Sequence, residues 1–252
     1  NMMKQAVYKT YWITNQQTLT KRNTMLTTFS KQMDIQKYLN NSRAQNSREY
    51  DENVFKPLED ALKDNAKQKF IVVHLLGTHM KYDYRYPPEF GKFKDAKDLP
   101  SHFTEMQVST INSYDNAVLY NDFVVSRLIM MIKDKNERSF MVYFSDHGED
   151  VYDTAPHEML GRNEGKPTAA MYTVPFIIWQ SEKWQASRHL DLSKFLNRPY
   201  STSHFIHTWA DLVGLDFSEF DASKSIVNES FKEKSLLVGD PKVKGQLREL
   251  KQ

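Results

Sequence analysis

The chain has 252 residues, of which 40% are hydrophobic, and one α/β domain can reach this length, so we predict a single domain over residues 1–252. Its 34 basic and 32 acidic residues give a formal net charge of +2, too small to predict a nucleic-acid partner. The absence of cysteine excludes disulfides and thiolate ligands, so any metal site must use nitrogen and oxygen donors. No apolar run approaches the roughly 18 residues that cross a bilayer, which predicts a soluble piece.

The first predicted elements are a strand, a polar connection and a helix. Residues 8–13 have a strand-like pattern close to Asn1, with no apolar signal segment before it, so we interpret the chain as starting inside a fold. Residues 31–50 are rich in Gln, Asn, Ser, Lys and Arg, which predicts a surface helix or loop. Apolar residues then recur at helical spacing over residues 47–63, predicting a crossover helix that Pro57 weakens locally.

A buried strand predicted at residues 69–76 leads into the first candidate site segment. Its sequence, KFIVVHLL, is nearly unbroken in apolar and β-branched residues, which favours a parallel strand covered on both faces. Because His79 lies beyond the break at Gly77, it is the site candidate, whereas His74 inside the run is interpreted as a core or supporting histidine. In the aromatic loop that follows, Arg85 is suited to bind a phosphate with two parallel hydrogen bonds. The alternative is a surface arginine on a packed loop.

A helix predicted over residues 112–133 connects this loop to the next strand. Its apolar residues form a stripe, and Asn112 or Ser113 is expected to cap its start. Asn116 lies on this helix and is a candidate substrate contact, with capping or solvation as the alternative explanation.

The second candidate segment, SDHGE at residues 145–149, follows a strand predicted at residues 139–144. Adjacent residues of a regular strand point to opposite faces, so Asp146 and His147 can converge on one ion only after the strand has turned. We expect Gly148 to supply the conformational freedom for that turn. The pair is therefore a candidate half of a zinc site. The alternative is a loop aspartate that accepts backbone hydrogen bonds beside a surface histidine.

His157 adds a third strand-end histidine, since it lies in a loop eleven residues after Asp146. A strand is predicted at residues 173–179, and a helix at residues 203–212. Strands that alternate with helices in this way predict an α/β fold with a mostly parallel central sheet flanked by helices. Roughly the last twenty residues are expected to fray or to pack as a tail. The remaining histidines are interpreted as structural: His102, His189, His204 and His207.

Four motifs in this order carry a resemblance to a known family. They are HLLGTH at 74–79, YDNA at 114–117, YND at 120–122 and SDHGE at 145–149. Together they resemble the periplasmic domain of bacterial phosphoethanolamine transferases, which have an alkaline-phosphatase/sulfatase-like fold. The resemblance runs from about Tyr8 to about Trp209. The segments YKT at 8–10 and YRYP at 84–87 are most similar to the members that modify heptose in the lipopolysaccharide inner core.

The resemblance implies a transfer of phosphoethanolamine from phosphatidylethanolamine to lipopolysaccharide through a phosphothreonine intermediate held on zinc (Zn²⁺). It assigns Asp146 and His147 to the metal. It assigns His79 and His157 to the phosphoryl group or to a second zinc, either as protonated donors or as neutral ligands.

In the family, a further glutamate ligand and the nucleophilic threonine lie upstream of the matched region. The surroundings of Thr18, Thr20 and Thr24 do not match that nucleophile segment. The family also has transmembrane helices near its amino terminus. We therefore expect this chain to be the periplasmic part of a bacterial inner-membrane protein and to be inactive alone.

Two other classes stay open. A related zinc phosphodiesterase or sulfatase-like hydrolase would share the Asp-His pair and pass the group to water. Sulfatases need a modified cysteine or serine, and the chain has neither a cysteine nor a matching serine motif. A noncatalytic binding module would keep the fold and bind no zinc.

Overall fold

The structure, a computed structural model, describes residues 2–16, 24–40, 46–97 and 99–250. The chain divides into two compact units, residues 1–137 and 138–252. Thr18 and Thr20 lie outside the described residues. Among the described residues, no helix combines the length and the hydropathy that crossing a bilayer requires.

The first unit is built on a parallel sheet. Its described strands are β1 (Lys9–Thr14), β2 (Ile35–Tyr38) and β3 (Lys69–His74), in the order β2-β1-β3. Its helices are α1 (Met2–Gln5), α2 (Thr24–Ser30), α3 (Phe55–Lys63) and α4 (Glu105–Lys133), with 3-10 turns at Asp51–Val54, Tyr82–Tyr84 and Pro88–Phe90. From β1 the chain goes first to β2 on one side and then to β3 on the other side of β1. The carboxyl ends of β1 and β3 therefore flank a topological switch point. Open α/β sheets bind ligands at such a point.

The strands predicted at residues 8–13 and 69–76 are confirmed as β1 and β3. The surface helix or loop predicted for residues 31–50 is wrong in part, because residues 35–38 form β2 beside β1. This strand is four residues long and embedded in polar sequence, so its own pattern is too short to reveal it.

The helix predicted over residues 112–133 is confirmed but begins seven residues earlier, at Glu105. Its cap is Thr104, which forms a reciprocal capping box with Gln107, so the predicted cap at Asn112 or Ser113 is wrong. The Thr-x-x-Gln pattern of residues 104–107 is the sequence signal for this start.

The second unit contains short antiparallel pairs. Its described strands are β4 (Phe140–Phe144), β5 (Asp150–Val151), β6 (Leu160–Gly161), β7 (Phe176–Gln180), β8 (Leu237–Val238) and β9 (Arg248–Glu249). Its helices are α5 (Ala169–Tyr172), α6 (Glu182–Arg188) and α7 (Phe205–Val213), with 3-10 turns at Leu192–Phe195, Thr202–His204 and Ala222–Lys224. The described pairs are β4 with β7, β5 with β6 and β8 with β9. The β8–β9 pair lies within the last twenty or so residues, so part of the expected tail packs as an antiparallel strand pair.

The predicted strands and helix of this unit are confirmed as β4, β7 and α7. Strand β7 begins one residue after Pro175, since proline has no N–H for a sheet ladder. The β4–β7 pair is antiparallel, which the alternation of strands and helices does not reveal. A hydrophobic core cluster of the second unit is formed by Trp184, Phe195, Leu212 and Val227.

Candidate functional site

The first site segment leaves β3 through a turn at Gly77, whose φ is +60°, in the left-handed region that glycine enters without strain. His79 is exposed at the end of this turn. Its Nδ1 lies 2.7 Å from the carbonyl oxygen of Met80. A carbonyl only accepts, so Nδ1 is the donor, and in the neutral ring the lone pair is on Nε2. His79 therefore presents a nitrogen that can bind a metal or accept a proton.

The second site segment leaves β4 and is held by local bonds. The Ser145 hydroxyl donates to the carbonyl of His147 (2.7 Å), and the backbone N–H of Gly148 donates to the carbonyl of Met171 (2.9 Å). A Cβ on Gly148 would lie 2.1 Å from the carbonyl oxygen of Ala170, and its φ is not in the left-handed region. Glycine is therefore required here for the close approach of α5, not for the conformational freedom that the sequence suggested.

Asp146 and His147 present candidate ligand atoms together. The Asp146 side chain is 90% exposed, and its Oδ2 lies 4.0 Å from Nε2 of His147. Nδ1 of His147 donates to the carbonyl of Gly148 at 2.8 Å, which places the lone pair of the neutral ring on Nε2. An imidazole nitrogen and a carboxylate oxygen this close fit two of the four ligands that zinc takes. Within the described ranges, no group of three or more His, Asp or Glu side chains is arranged to hold a metal.

His157 lies in the hairpin that joins β5 to β6. Its φ is +65°, its N–H donates to the carbonyl of Thr154 (2.8 Å) and its Nδ1 donates to the carbonyl of Tyr152 (2.7 Å). The base of this hairpin contains Asp150, which is fully buried and accepts the N–H of Asp153 through Oδ1 (3.0 Å). His157 therefore repeats the arrangement of His79 and His147, in which Nδ1 is fixed by a backbone carbonyl.

The four predicted groups fall in different units. Asp146, His147 and His157 lie within the segment 146–161 of the second unit, whereas His79 belongs to the first. The predicted convergence of all four on one hollow stays a prediction.

Arg85 is 5% exposed and is therefore not the surface arginine of the alternative explanation. Its Nε donates to the carbonyl of Lys81 (3.3 Å). Burial lowers the pKa of Arg85, and the negative charges of Asp51 and Asp83 oppose this shift. Its contact with phosphate stays a prediction.

Asn116 is also buried, with 2% exposure, so the explanation by capping or solvation is wrong. Its Oδ1 accepts the N–H groups of Lys92 (2.7 Å) and Phe93 (2.9 Å), and its Nδ2 donates to the carbonyl of Phe93 (3.0 Å). Asn116 thus ties the chain after the Pro88–Phe90 turn to helix α4. A substrate contact stays a prediction and requires some of these bonds to be exchanged.

Asp51 is the residue of this site that sequence reasoning missed. Its carboxylate is buried and accepts hydrogen bonds from Nδ2 of Asn15 (2.8 Å) and from the N–H groups of Leu76 (2.9 Å) and Gly77 (2.7 Å). An acidic residue at the start of a helical segment reads as an ordinary helix-terminal charge. Only the fold shows that it fastens the segment that carries His79.

His74, interpreted as a core or supporting histidine, and His207, interpreted as structural, both have contacts that fit these predictions. Nδ1 of His74 lies 3.0 Å from Oγ1 of Thr14, across the β1–β3 pair. Nδ1 of His207 accepts the N–H of Asp221 (3.2 Å), and burial lowers the pKa of His207.

Comparison with known proteins defines the class of the molecule. Residues 1–215 match the model of the Sulfatase family. The chain therefore belongs to the sulfatase family, and the predicted α/β, sulfatase-like fold is confirmed.

Particular relatives are more similar still. The chain is 54% identical over 248 residues to phosphoethanolamine transferase EptC of Escherichia coli K12, a match that covers 98% of this chain and 43% of the relative. It is 54% identical over the same length to phosphoethanolamine transferase CptA of Salmonella typhimurium. The crystal structure of the C-terminal periplasmic domain of E. coli EptC in complex with Zn aligns with a TM-score of 0.95, covering 98% of this chain and 70% of that one.

The resemblance to phosphoethanolamine transferases is therefore confirmed. The chain spans 43% of the length of these curated relatives.

Proposed function

We propose that this chain is the catalytic-type part of a zinc-dependent phosphoethanolamine transferase. The enzyme moves phosphoethanolamine from phosphatidylethanolamine to lipopolysaccharide, with inner-core heptose as the acceptor. The group passes through a phosphothreonine intermediate on a threonine in the part of the relatives that this chain does not span. Identity of 54% to two such transferases is the observation that carries this proposal.

The exposed pair of Asp146 and His147 supports a zinc site. Both side chains would ligate the ion, His147 through Nε2, because Nδ1 is held by the carbonyl of Gly148. When bound, zinc supplies positive charge that offsets the phosphoryl oxygens and favours an ionised nucleophile. The Zn complex of the E. coli EptC domain is consistent with this assignment.

The roles of His79 and His157 follow from their fixed tautomers. With Nδ1 on a backbone carbonyl, each ring exchanges protons or binds a metal through Nε2. Phosphoryl transfer depends mainly on placing charge and aligning donor and acceptor, so two oriented imidazoles suit this reaction. Protonated, they donate to phosphoryl oxygens or to the leaving group.

The proposed substrates determine the compartment in which the enzyme works. Both substrates are lipids, so the reaction takes place at a membrane, and we place this part of the protein on the periplasmic side of the bacterial inner membrane. The match to a domain described as periplasmic supports this placement.

Zinc binding to the chain tests the site directly. We expect isothermal titration calorimetry to detect zinc binding to the wild-type chain. The variant Asp146→Asn should bind zinc at least about tenfold more weakly, because it loses one of the two proposed ligands. Glu158→Gln is the matched control, because Glu158 is an exposed carboxylate of the same segment. Equal affinity of wild type and Asp146→Asn would contradict the assignment.

Activity is tested with the intact gene in cells. We expect mass spectrometry of lipopolysaccharide to show a phosphoethanolamine increment that Asp146→Asn abolishes. The chain alone is expected to release no phosphoethanolamine from phosphatidylethanolamine vesicles. Chelator-sensitive release of phosphoethanolamine to water, without modified lipopolysaccharide, would instead identify a phosphodiesterase.

A further inference from the structure

The carboxylate of Asp51 lies where the carboxyl ends of β1 and β3 meet. It accepts a hydrogen bond from Asn15, the residue after β1, and from the two N–H groups of Leu76 and Gly77, just after β3. We propose that Asp51, together with Arg85, is a positioning residue that holds the loop of residues 75–81 and thereby orients His79.

The other end of this loop is held by Arg85. Its Nε donates to the carbonyl of Lys81, two residues after His79. Asp51 and Arg85 are both buried, at 5% exposure each, and attract each other electrostatically. Burying a charge costs less free energy when the charge is hydrogen-bonded, and both side chains have hydrogen bonds to the loop or its ends. The two residues therefore form a clamp, in which one side accepts from the start of the loop and the other donates to its end.

His79 takes its position from this clamped backbone. Among the described residues, its hydrogen bonds run from its N–H to the carbonyl of Leu76 (3.4 Å) and from Nδ1 to the carbonyl of Met80 (2.7 Å). Both acceptors belong to the loop itself. A shift of the loop backbone is therefore passed directly to the imidazole, since His79 is exposed.

The clamp explains why a charge is buried here. A carboxylate accepts several N–H donors at once and binds them more strongly than a neutral group does. The neutral amide of an asparagine has the same shape but offers one acceptor atom, so it leaves at least one of the N–H groups of Leu76 and Gly77 opposite an amide N–H₂. The inference concerns a loop whose catalytic importance rests on the proposed function, but the clamp itself does not depend on it.

Amide hydrogen exchange of the wild-type chain is the first test. We expect the N–H groups of Leu76 and Gly77 to exchange at least about a hundredfold more slowly than in an unstructured peptide, although they lie in a loop. Exchange at the rate of an unstructured peptide would overturn the proposal, whatever any variant does.

The variant Asp51→Asn is the second test, with Asp34→Asn as its matched control. Asp34 accepts the N–H (2.9 Å) and hydroxyl (2.8 Å) of Thr10, at the opposite end of β1. We expect Asp51→Asn to speed the exchange of Leu76 and Gly77 at least about tenfold and to broaden or split the His79 ring signal in NMR of the folded chain. Asp34→Asn should change neither.

The ring signal separates positioning from stability, because a merely structural residue would lower the melting temperature and leave the His79 signal of the folded protein unchanged. The His79→Gln variant assigns that signal among the eight histidines. A folded Asp51→Asn with the exchange rates and His79 signal of Asp34→Asn would overturn the proposal. These measurements need neither zinc nor turnover, so they stand apart from the zinc titration of Asp146→Asn.

Discussion

The segments after β3 and β4 look alike in sequence and are built differently. Each is an apolar, partly buried strand followed by a glycine and a histidine within a few residues. After β3, Gly77 is needed for its left-handed φ, and a Cβ there would find its nearest atom 4.0 Å away. After β4, Gly148 is needed because a Cβ would lie 2.1 Å from the Ala170 carbonyl oxygen. One sequence pattern thus covers a conformational requirement in one place and a steric requirement in the other.

The two segments also differ in what fastens them. The first depends on a carboxylate 25 residues away from Leu76, in a different element. The second is fastened by backbone carbonyls: the Ser145 hydroxyl donates to the carbonyl of His147, and the N–H of Gly148 donates to the carbonyl of Met171 on α5. A substitution of Asp51 removes the side-chain acceptor of the first segment, whereas the backbone acceptors of the second remain whatever the side chains of His147 and Met171 are.

The variant Gly148→Ala tests the steric side of this comparison and should have the largest effect. Its methyl group cannot fit against the Ala170 carbonyl, so the segment or α5 must move, and we expect a loss of about 3 kcal/mol in the free energy of unfolding. Urea unfolding followed by tryptophan fluorescence measures this. Zinc affinity should fall with it, because His147 precedes Gly148. A loss below that of Gly77→Ala would break the comparison.

The buried amide of Asn116 should have the next largest effect. In Asn116→Ala, the N–H groups of Lys92 and Phe93 lose their acceptor, and we expect the free energy of unfolding to fall by about 2 kcal/mol. Asp146→Asn is the contrasting variant, since its side chain is 90% exposed and its loss should leave the urea midpoint nearly unchanged. An Asn116→Ala chain as stable as wild type would favour the substrate contact over the structural tie.

The elements confirmed from sequence are those whose own pattern is long or strongly apolar. Strands β3 and β4 are continuous apolar runs, and α4 has an apolar stripe over several turns. Strand β2 was missed because four residues in polar surroundings take their structure from the neighbouring β1. The antiparallel β4–β7 pairing was not predictable either, since strand direction depends on the path of the whole chain.

The variant Gly77→Ala tests the conformational side of the comparison. There is space for the methyl group, so the cost is that of holding alanine at a φ of +60°, and we expect a loss of about 1 kcal/mol. Urea unfolding of Gly77→Ala and Gly77→Asn measures it. Asparagine tolerates the left-handed region better, so Gly77→Asn should recover part of the loss. Equal losses would indicate a packing requirement, as at Gly148.

Within the candidate site, the sequence singles out only chemically distinctive residues, and their roles stay predictions. His79, Asp146, His147 and His157 stand out because each follows a strand end in a loop. Asp51 carried no such signal, and its importance comes from hydrogen bonds to residues 25 and 26 positions away. The sequence also could not show that Arg85 and Asn116 are buried, since burial of a polar side chain depends on partners from other elements.

Lowering the pH should change the stabilities of the Asp34 and Asp51 variants in different ways, and this is the smallest expected effect of the series. The hydrogen bond from Lys4, followed by those from Thr10, lowers the pKa of Asp34 to about 2. Because this folded-state pKa lies below the ordinary value of 3.8, the stabilisation by ionised Asp34 is present above about pH 4 and is lost as the pH falls toward 2. The side chain is 35% exposed, so the difference between wild type and Asp34→Asn should not exceed about 1 kcal/mol at pH 7 and should vanish near pH 2. Burial instead raises the pKa of Asp51, although the hydrogen bonds from Leu76, Asn15 and Gly77 oppose this shift, so acid should not shrink the difference between wild type and Asp51→Asn. Urea unfolding of the three proteins from pH 7 to pH 2 measures both trends, and parallel trends for the two variants would show that the ends of the sheet are not fastened differently.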